Sequence, residues 1–175
     1  MRNKIVMRRA FAEEGVPQPS FAAVRSLAEG RRALSTVGLP AVLKPADSGG
    51  QRGVFRIETA DDLDRHLHAA LAESAEQECI LEGFVEGTEM NGIVIARGGK
   101  AEVVTLSDRL RPPGIGFGVG WIHVYPASTY GHQLELSEKV ATRAVEVLGL
   151  RDGIAFPQII ASPDGSVVVV EVAAR

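Results

Sequence analysis

Residues 41–57, AVLKPADSGGQRGVFRI, constrain this chain more than any other stretch. An apolar run reaches Lys44, breaks at Pro45, crosses a polar glycine-rich octet and resumes at Val54 to Ile57 in the alternation of a strand. Two short strands joined by such a loop predict an antiparallel hairpin. The loop is not a Walker loop, because the order G-K-[ST] is missing and a strand, not a helix, follows the glycines. Lys44 brings a point charge, and Gly49, Gly50 and Gly53 let backbone N–H groups approach phosphate oxygens with no Cβ in the way. The competing reading is a structural turn that closes the hairpin and nothing more.

Helices and strand pairs surround this hairpin. Asn3 to Phe11 reads as a helix closed by Gly15 and the turn Val16-Pro17-Gln18-Pro19. Ser20 to Val24 reads as a strand, and Leu27 to Thr36 as a helix interrupted by Gly30. Thr59 with Asp62 forms a capping-box start, and Leu63, Leu67 and Leu71 lay one apolar stripe along a helix ending near Ser74. Ile80 to Val85 returns to strand. Met90 to Arg97 and Ala101 to Leu106 flank Gly98-Gly99-Lys100 as a hairpin; Arg111 to Gly120 is a Pro- and Gly-rich loop, and Trp121 to Tyr125 is another strand. Leu136, Val140, Ala144 and Val147 mark a last long helix, stopped at Gly149. A final hairpin turns at Ser162-Pro163-Asp164-Gly165 between Gly153 to Ala161 and Ser166 to Val172. Strand pairs with helices laid against them predict an α+β chain of mainly antiparallel sheets. The last strand reaches Arg175 with no closing turn, and the first helix starts within a few residues of Met1, so the reading expects a piece of a longer protein.

Composition excludes several classes. With 45% hydrophobic and 23% charged residues the chain is neither disordered nor collagenous, and a formal net charge of −3 provides no basic field for nucleic acid. Cys79 is the single cysteine and cannot form an internal disulfide, which fits a reducing, cytoplasmic setting; at the start of a strand it reads as inert. No run approaches the roughly 20 apolar residues of a membrane helix. The basic start MRNKIVMRRAF leads into AEEG, where a signal peptide needs an apolar core.

Two further constellations bear chemistry. Gln158 and Glu171 lie on the two arms of GIAFPQIIASPDGSVVVVEVAAR. An amide oxygen and a carboxylate on neighbouring strands suit Mg²⁺, which completes its octahedron with water and phosphate. The alternative is two polar residues that merely end apolar strands, although an acid inside VVVVEVAA is unusual. In LEGFVEGTE the strand ends over Glu82 to Val85, whose exposed backbone can read an adenine edge, and Glu89 beyond Gly87 can accept from ribose hydroxyls. His123, in WIHVYP, is open between a core-edge histidine and a site residue.

The order of these parts resembles the ATP-grasp superfamily over nearly the whole chain. NKIVMRRAFAEEGVPQP is similar to the family's opening helix, which presents a phosphate-binding lysine, here Lys4. GLPAVLKPADSGGQRGV resembles its second lysine strand and glycine-rich loop, matching at Lys44, Ser48, Gly49, Gly50, Gln51, Arg52 and Gly53. LEGFVEGTE resembles the hinge, which implies that Glu82, Phe84 and Val85 meet adenine and Glu89 the ribose. The final hairpin resembles the metal strands, with Gln158 and Glu171 as ligands and Glu171 and Arg175 matching E-x-N-x-R.

Ala173 replaces the asparagine of that signature, and Gln158 stands where Glu is common, as in the carbamoyl-phosphate-synthetase branch. GWIHVYPA is similar to that branch and to amino-acid ligases, which implies His123 beside the phosphates or the acyl phosphate. The resemblance implies two α+β lobes with four-stranded antiparallel sheets: an opening helix and turn over 1–19, packed on the second lobe, a small lobe over 20–85 and a second lobe over 86–175. It implies ATP with Mg²⁺, or Mn²⁺ in its place, a carboxylate or bicarbonate phosphorylated by ATP, and an amine or ammonia as acceptor. Arg175 and His123 would be the catalytic pair. Small molecules and the flanking domains of a parent protein are the implied partners, and a nucleotide-binding module without catalysis is the alternative that Ala173 permits.

Overall fold

In the computed structural model, which describes residues 3–111 and 122–174, Asn3 caps helix α1 (Lys4–Glu13) by accepting hydrogen bonds from the amides of Ile5 and Val6. Four strands follow with two helices between them: β1 (Phe21–Val24), α2 (Leu27–Val37), β2 (Ala41–Pro45), β3 (Phe55–Ile57), α3 (Ala60–Ala72) and β4 (Cys79–Gly83). The strands form one sheet in the order β1-β4-β2-β3, antiparallel at every junction, and β2 and β3 are the two arms around the glycine-rich loop. At the end of that loop Gly53 takes φ +67°, and a Cβ there would stand 2.9 Å from Pro45 Cγ.

Thr59 and Asp62 close the capping box that starts α3, and its Leu63 and Leu67 pack with Val24, Leu43, Ile57 and Leu81. Gly30 does not interrupt α2: a Cβ there would lie 2.9 Å from Leu63 Cδ2, so the glycine lets α2 and α3 approach. Leu67 is 4% exposed, and Leu67→Ala is expected to cost about 2–5 kcal/mol in a denaturant titration.

The second sheet is built from β5 (Thr88–Arg97), β6 (Lys100–Leu110), β7 (Ile122–Val124), β8 (Gly153–Ala161) and β9 (Val167–Ala174), in the order β7-β6-β5-β8-β9. Among the described residues it has five strands, not the expected four. β6 continues past Leu106 because Ser107 and Asp108 are buried with partners: the Ser107 hydroxyl donates to the Asn91 carbonyl, and the Asp108 carboxylate accepts from the Ser128 amide. Asp108 to Leu110 then pair with β7. Trp121 and most of the Pro- and Gly-rich segment lie outside the described residues. Helix α4 (Gly131–Val147) buries Ser137, Val140, Ala141, Ala144 and Val145, a face rotated from the expected stripe; Leu136 and Val147 are half-buried. Ser137 is tolerated inside because its hydroxyl donates to the Gln133 carbonyl.

Helix α1 serves both sheets. Met7 and Phe11 pack with Val140, Ile159 and Val169 in the core of the second, while Ile5 packs with Ala46 and Ile80 of the first. The crossing between the sheets is tight: Gly83 leaves β4 by donating to the Ser20 carbonyl, two residues before the expected strand end. A Cβ on Gly87 would stand 2.3 Å from the Ala161 carbonyl oxygen.

One irregularity sets which side chains face the cleft between the sheets. Gln158 pairs with Glu171 and Ile159 with Val169, so Val170 is an extra residue, a bulge in β9. Val167, Val169 and Val172 are buried against the core, whereas Val170 and Glu171 both line the cleft.

Candidate functional site

A cavity of about 260 Å³ lies between the two sheets, and among the described residues α1, β2, β4, β5, β6, β8, β9 and the loops between them reach it. β2 delivers Lys44, the glycine-rich loop delivers Ser48 to Gln51, β4 and the crossing deliver Glu82, Phe84 and Val85, and α1 delivers Lys4 from its first turn. The second sheet adds Glu89, Arg109, Arg111, Gln158 and Glu171. Arg52 and Gly53 are not part of this lining; Arg52 lies outside, 3.8 Å from Glu73 and mostly exposed, because the φ +67° turn at Gly53 carries the chain back into β3. Arg175 lies outside the described residues.

The Lys4 ammonium donates to the Ser48 carbonyl at 2.6 Å and to the Pro45 carbonyl at 3.3 Å, tying α1 to the base of the loop. Burial pushes its pKa below the ordinary lysine value, with Glu171 opposing the shift and Lys44 adding to it. Lys44 donates to Glu82 Oε2 at 2.6 Å, and Arg8 Nε donates to Glu82 Oε1 at 2.7 Å. The side chain of Glu82 is therefore committed to two cations, and its backbone is laddered with Phe21 on one side and Val42 on the other, so Glu82 does not meet a base, contrary to what the hinge resemblance implies. Phe84 donates its amide to the Pro40 carbonyl, and its ring lies under the Arg56 guanidinium at 4.2 Å.

Desolvation pushes the Glu82 carboxyl upward, but the Lys44 and Arg8 charges outweigh it and hold the pKa at about 2 against an ordinary 4.5. The stability this adds is complete above pH 4.5 and fades as the pH falls toward 2. Acid titrations followed by circular dichroism should show that loss in the unmutated chain and a flatter profile through the same window in Glu82→Gln. Burial, with Asp47 and Glu78 nearby, pushes the Cys79 thiol up to about 12, which makes it inert as a nucleophile.

On the second sheet, cross-strand partners share a face. Asn91 pairs with Ser107 on one side and Gln158 on the other, and Gln158 pairs with Glu171. A polar row thus crosses four strands toward the cleft. Gln158 and Glu171 supply an amide oxygen and a carboxylate, hard oxygen donors that fit Mg²⁺, and they stand where Lys4 senses the Glu171 charge.

His123 is exposed and does not line the cavity itself; it is the register partner of Arg109, which does. Its Nδ1 is 3.1 Å from Ser107 Oγ.

Three arginines of the site escaped the sequence reading. Arg109 and Arg111 donate to the two oxygens of Glu89, at 3.1 and 2.6 Å. Alternation along β6 places Arg109 on the face of Ser107, but nothing local points either arginine at Glu89. Arg8 carried a signal: it sits among Met7 and Phe11 on a helix face that the apolar residues bury, and a buried guanidinium requires partners.

Two antiparallel sheets closing on two lysines, a glycine-rich loop and a carboxylate–amide pair define a class of protein that can hold an anionic polyphosphate beside a hard cation. The chain belongs to the ATP-grasp family, whose domain model matches residues 9–175. It is 31% identical over 112 residues to D-alanine--D-alanine ligase of Delftia acidovorans, covering 64% of this chain and 34% of that protein. It is also 31% identical over 152 residues to the uncharacterized protein y4rH of Sinorhizobium fredii, covering 85% and 31%. The L-amino acid ligase of Bacillus licheniformis superposes with a TM-score of 0.82 at 25% identity, over 99% of this chain and 40% of that one. The carboxyaminoimidazole ribonucleotide synthase of Aspergillus clavatus, complexed with ATP, shares the fold with a TM-score of 0.83 at 18% identity, over 99% and 44%. The chain spans about a third of the length of these curated relatives.

Proposed function

We propose that this chain is the ATP-binding core of an ATP-dependent ligase that activates a carboxylate or bicarbonate as an acyl phosphate and passes it to an amine or ammonia. The convergence of Lys4, Lys44, Gln158 and Glu171 on one cleft between two sheets carries this reading. The γ-phosphoryl group leaves ADP as the β,γ P–O bond breaks and a bond to a carboxylate oxygen forms. The amine then forms the C–N bond, phosphate leaves with the acyl C–O bond, and the amine gives up a proton.

The chain's own residues answer the repulsion between two anions. Lys4 and Lys44 place positive charge along one wall, and the backbone amides of Ser48 to Gln51 cap the phosphates from above. Phe84 and Val85 face adenine, and Glu89 accepts from the ribose while Arg109 and Arg111 hold its orientation. Gln158 and Glu171 would hold Mg²⁺ or Mn²⁺, which supplies charge neutralisation at the phosphates when bound. His123, its Nδ1 held by Ser107 Oγ, stands beside the acceptor, and Arg175 follows the resemblance as a phosphoryl contact. The domains are taken as 1–19, 20–85 and 86–175, and a cytoplasmic setting agrees with a free buried Cys79. Among the described residues no helix is long and apolar enough to cross a membrane.

Calorimetric titration with Mg-ATP and ADP tests nucleotide binding, and ADP release with panels of carboxylic acids and amines tests the reaction. Heat at millimolar nucleotide with acid-dependent ADP release is the expected result. No heat counts against a nucleotide site, and binding without acid-dependent release selects the non-catalytic module that Ala173 permits.

A further inference from the structure

We propose that Arg8 is a positioning residue: by holding the charge of Glu82, it keeps Lys44 available to the phosphates of the nucleotide. The inference rests on the reading of the cleft as an ATP site. Glu82 is buried between two cations, one on each carboxylate oxygen. These cations differ in freedom. Arg8 is 0% exposed and locked in place, since NH1 donates to the Val169 carbonyl at 2.7 Å and NH2 to the Val170 carbonyl at 2.8 Å. Gln18 Oε1 accepts from NH1 at 3.5 Å, and Gln18 Nε2 donates to the Arg8 main-chain carbonyl at 2.9 Å. Lys44 is 18% exposed on the cleft wall, at the end of a flexible four-carbon stem.

A lysine paired alone with a buried carboxylate is a poor phosphate ligand. Reaching the phosphate would strand an unpaired anion away from water, and that cost would be subtracted from binding. Charge counting shows how Arg8 removes the difficulty. Glu82 with Lys44 sums to zero, whereas Glu82 with Lys44 and Arg8 carries one net positive charge facing the cleft. When Lys44 turns to a phosphate oxygen, Glu82 keeps a partner that cannot follow. The same guanidinium ties β4 of the first sheet to β9 of the second, one residue before Glu171, so the lysine wall and the metal strand share one anchor.

The test is a comparison of affinities for Mg-ATP and for adenosine, measured calorimetrically on the unmutated chain, Arg8→Gln, Glu82→Gln and the double variant. The ratio of the two affinities reports the phosphate interaction and cancels general effects on the adenine pocket. Arg8→Gln is expected to lower that ratio about tenfold or more, because Glu82 then holds Lys44 back. Glu82→Gln and the double variant are expected to keep the ratio at or above that of the unmutated chain. A purely structural role for Arg8 predicts instead that both ligands weaken together and that the double variant fares no better than Arg8→Gln; either result overturns the proposal.

Should Arg8→Gln fail to fold, Glu82→Gln and the double variant still decide the matter. With Glu82 neutral, Arg8 has no charge to hold, so their ratios should agree within about threefold, and a lower ratio in the double variant overturns the proposal. An unmutated chain that shows no preference for Mg-ATP over adenosine removes the ATP reading and this inference together. A clear preference combined with the wrong mutant pattern removes the inference alone.

Discussion

In the full-length ligase we propose, Glu171→Gln is expected to abolish acid-dependent ADP formation while leaving binding of nucleotide without divalent cation nearly unchanged. The substitution keeps the size and one oxygen of the side chain but removes its charge. Gln158 is already neutral, so the donor pair would drop from one negative charge to none. A neutral pair of amide oxygens holds a hard divalent cation weakly. The phosphate contacts proposed for Lys4 and Lys44 use other side chains; Lys4 loses the Glu171 charge that opposes its lowered pKa, but a negative group also leaves the phosphate wall, so nucleotide binding without metal should survive. The measurement is ADP release in a ligase assay beside calorimetry with ATP in chelator and ATP in Mg²⁺. Unchanged ADP release in the variant would refute the metal assignment.

Deleting Val170 is expected to cost stability while leaving the carboxylate–amide pair in place. Val170 is the bulge residue, and without it Glu171 follows Val169 directly, so strict alternation keeps Val167, Val169 and Val172 toward the core and Glu171 on the opposite face, across from Gln158. What the deletion removes is the Val170 carbonyl that accepts from Arg8 NH2 at 2.8 Å. Leaving a buried donor unpaired costs about 1–3 kcal/mol, so the melting temperature should fall while the Mg²⁺ dependence of nucleotide binding is retained. Val170→Ala keeps the bulge and the carbonyl and should retain both stability and Mg²⁺ dependence. A deletion variant that loses Mg²⁺ dependence at an unchanged melting temperature would show that Glu171 needs the bulge to face the cleft.

Much of the fold was legible in the sequence because it rests on short-range chemistry. The α3 stripe of Leu63 and Leu67, the Thr59 capping box and the hairpin around the glycine-rich loop depend on residues a few positions apart, and they appear where the local pattern places them. The exceptions have tertiary causes. Gly30 reads as a helix breaker until Leu63 of α3 is seen pressing against it. The α4 face departs from its most apolar stripe because Ser137 satisfies its hydroxyl within the helix and can turn inward. β6 outlasts its apolar residues because Ser107 and Asp108 find partners on β5 and after β7.

At the site, residue types were readable and their company was not. Lys4, Lys44, Glu89, Gln158 and Glu171 stand out by type and by their place in the order of motifs, and all of them line one cavity. The pairing of Glu82 with Arg8 and Lys44 spans 74 and 38 positions of sequence, a separation over which no local pattern carries information. The face presented by Glu171 is the sharpest case. Read as an alternating strand, VVVVEV places Glu171 with Val167 and Val169 toward the core; the folded chain places it beside Gln158 in the cleft. Side-chain alternation is a property of the strand by itself, so composition and period fixed that β9 exists and that it is apolar on one side. The insertion of Val170 as a bulge depends on what lies across from β9: the Arg8 guanidinium waiting for the Val169 and Val170 carbonyls, and the Pro17 carbonyl accepting the Val169 amide. Those partners come from α1 and the turn after it, more than 150 residues earlier for Val169, and only packing α1 between the two sheets brings them within hydrogen-bonding distance.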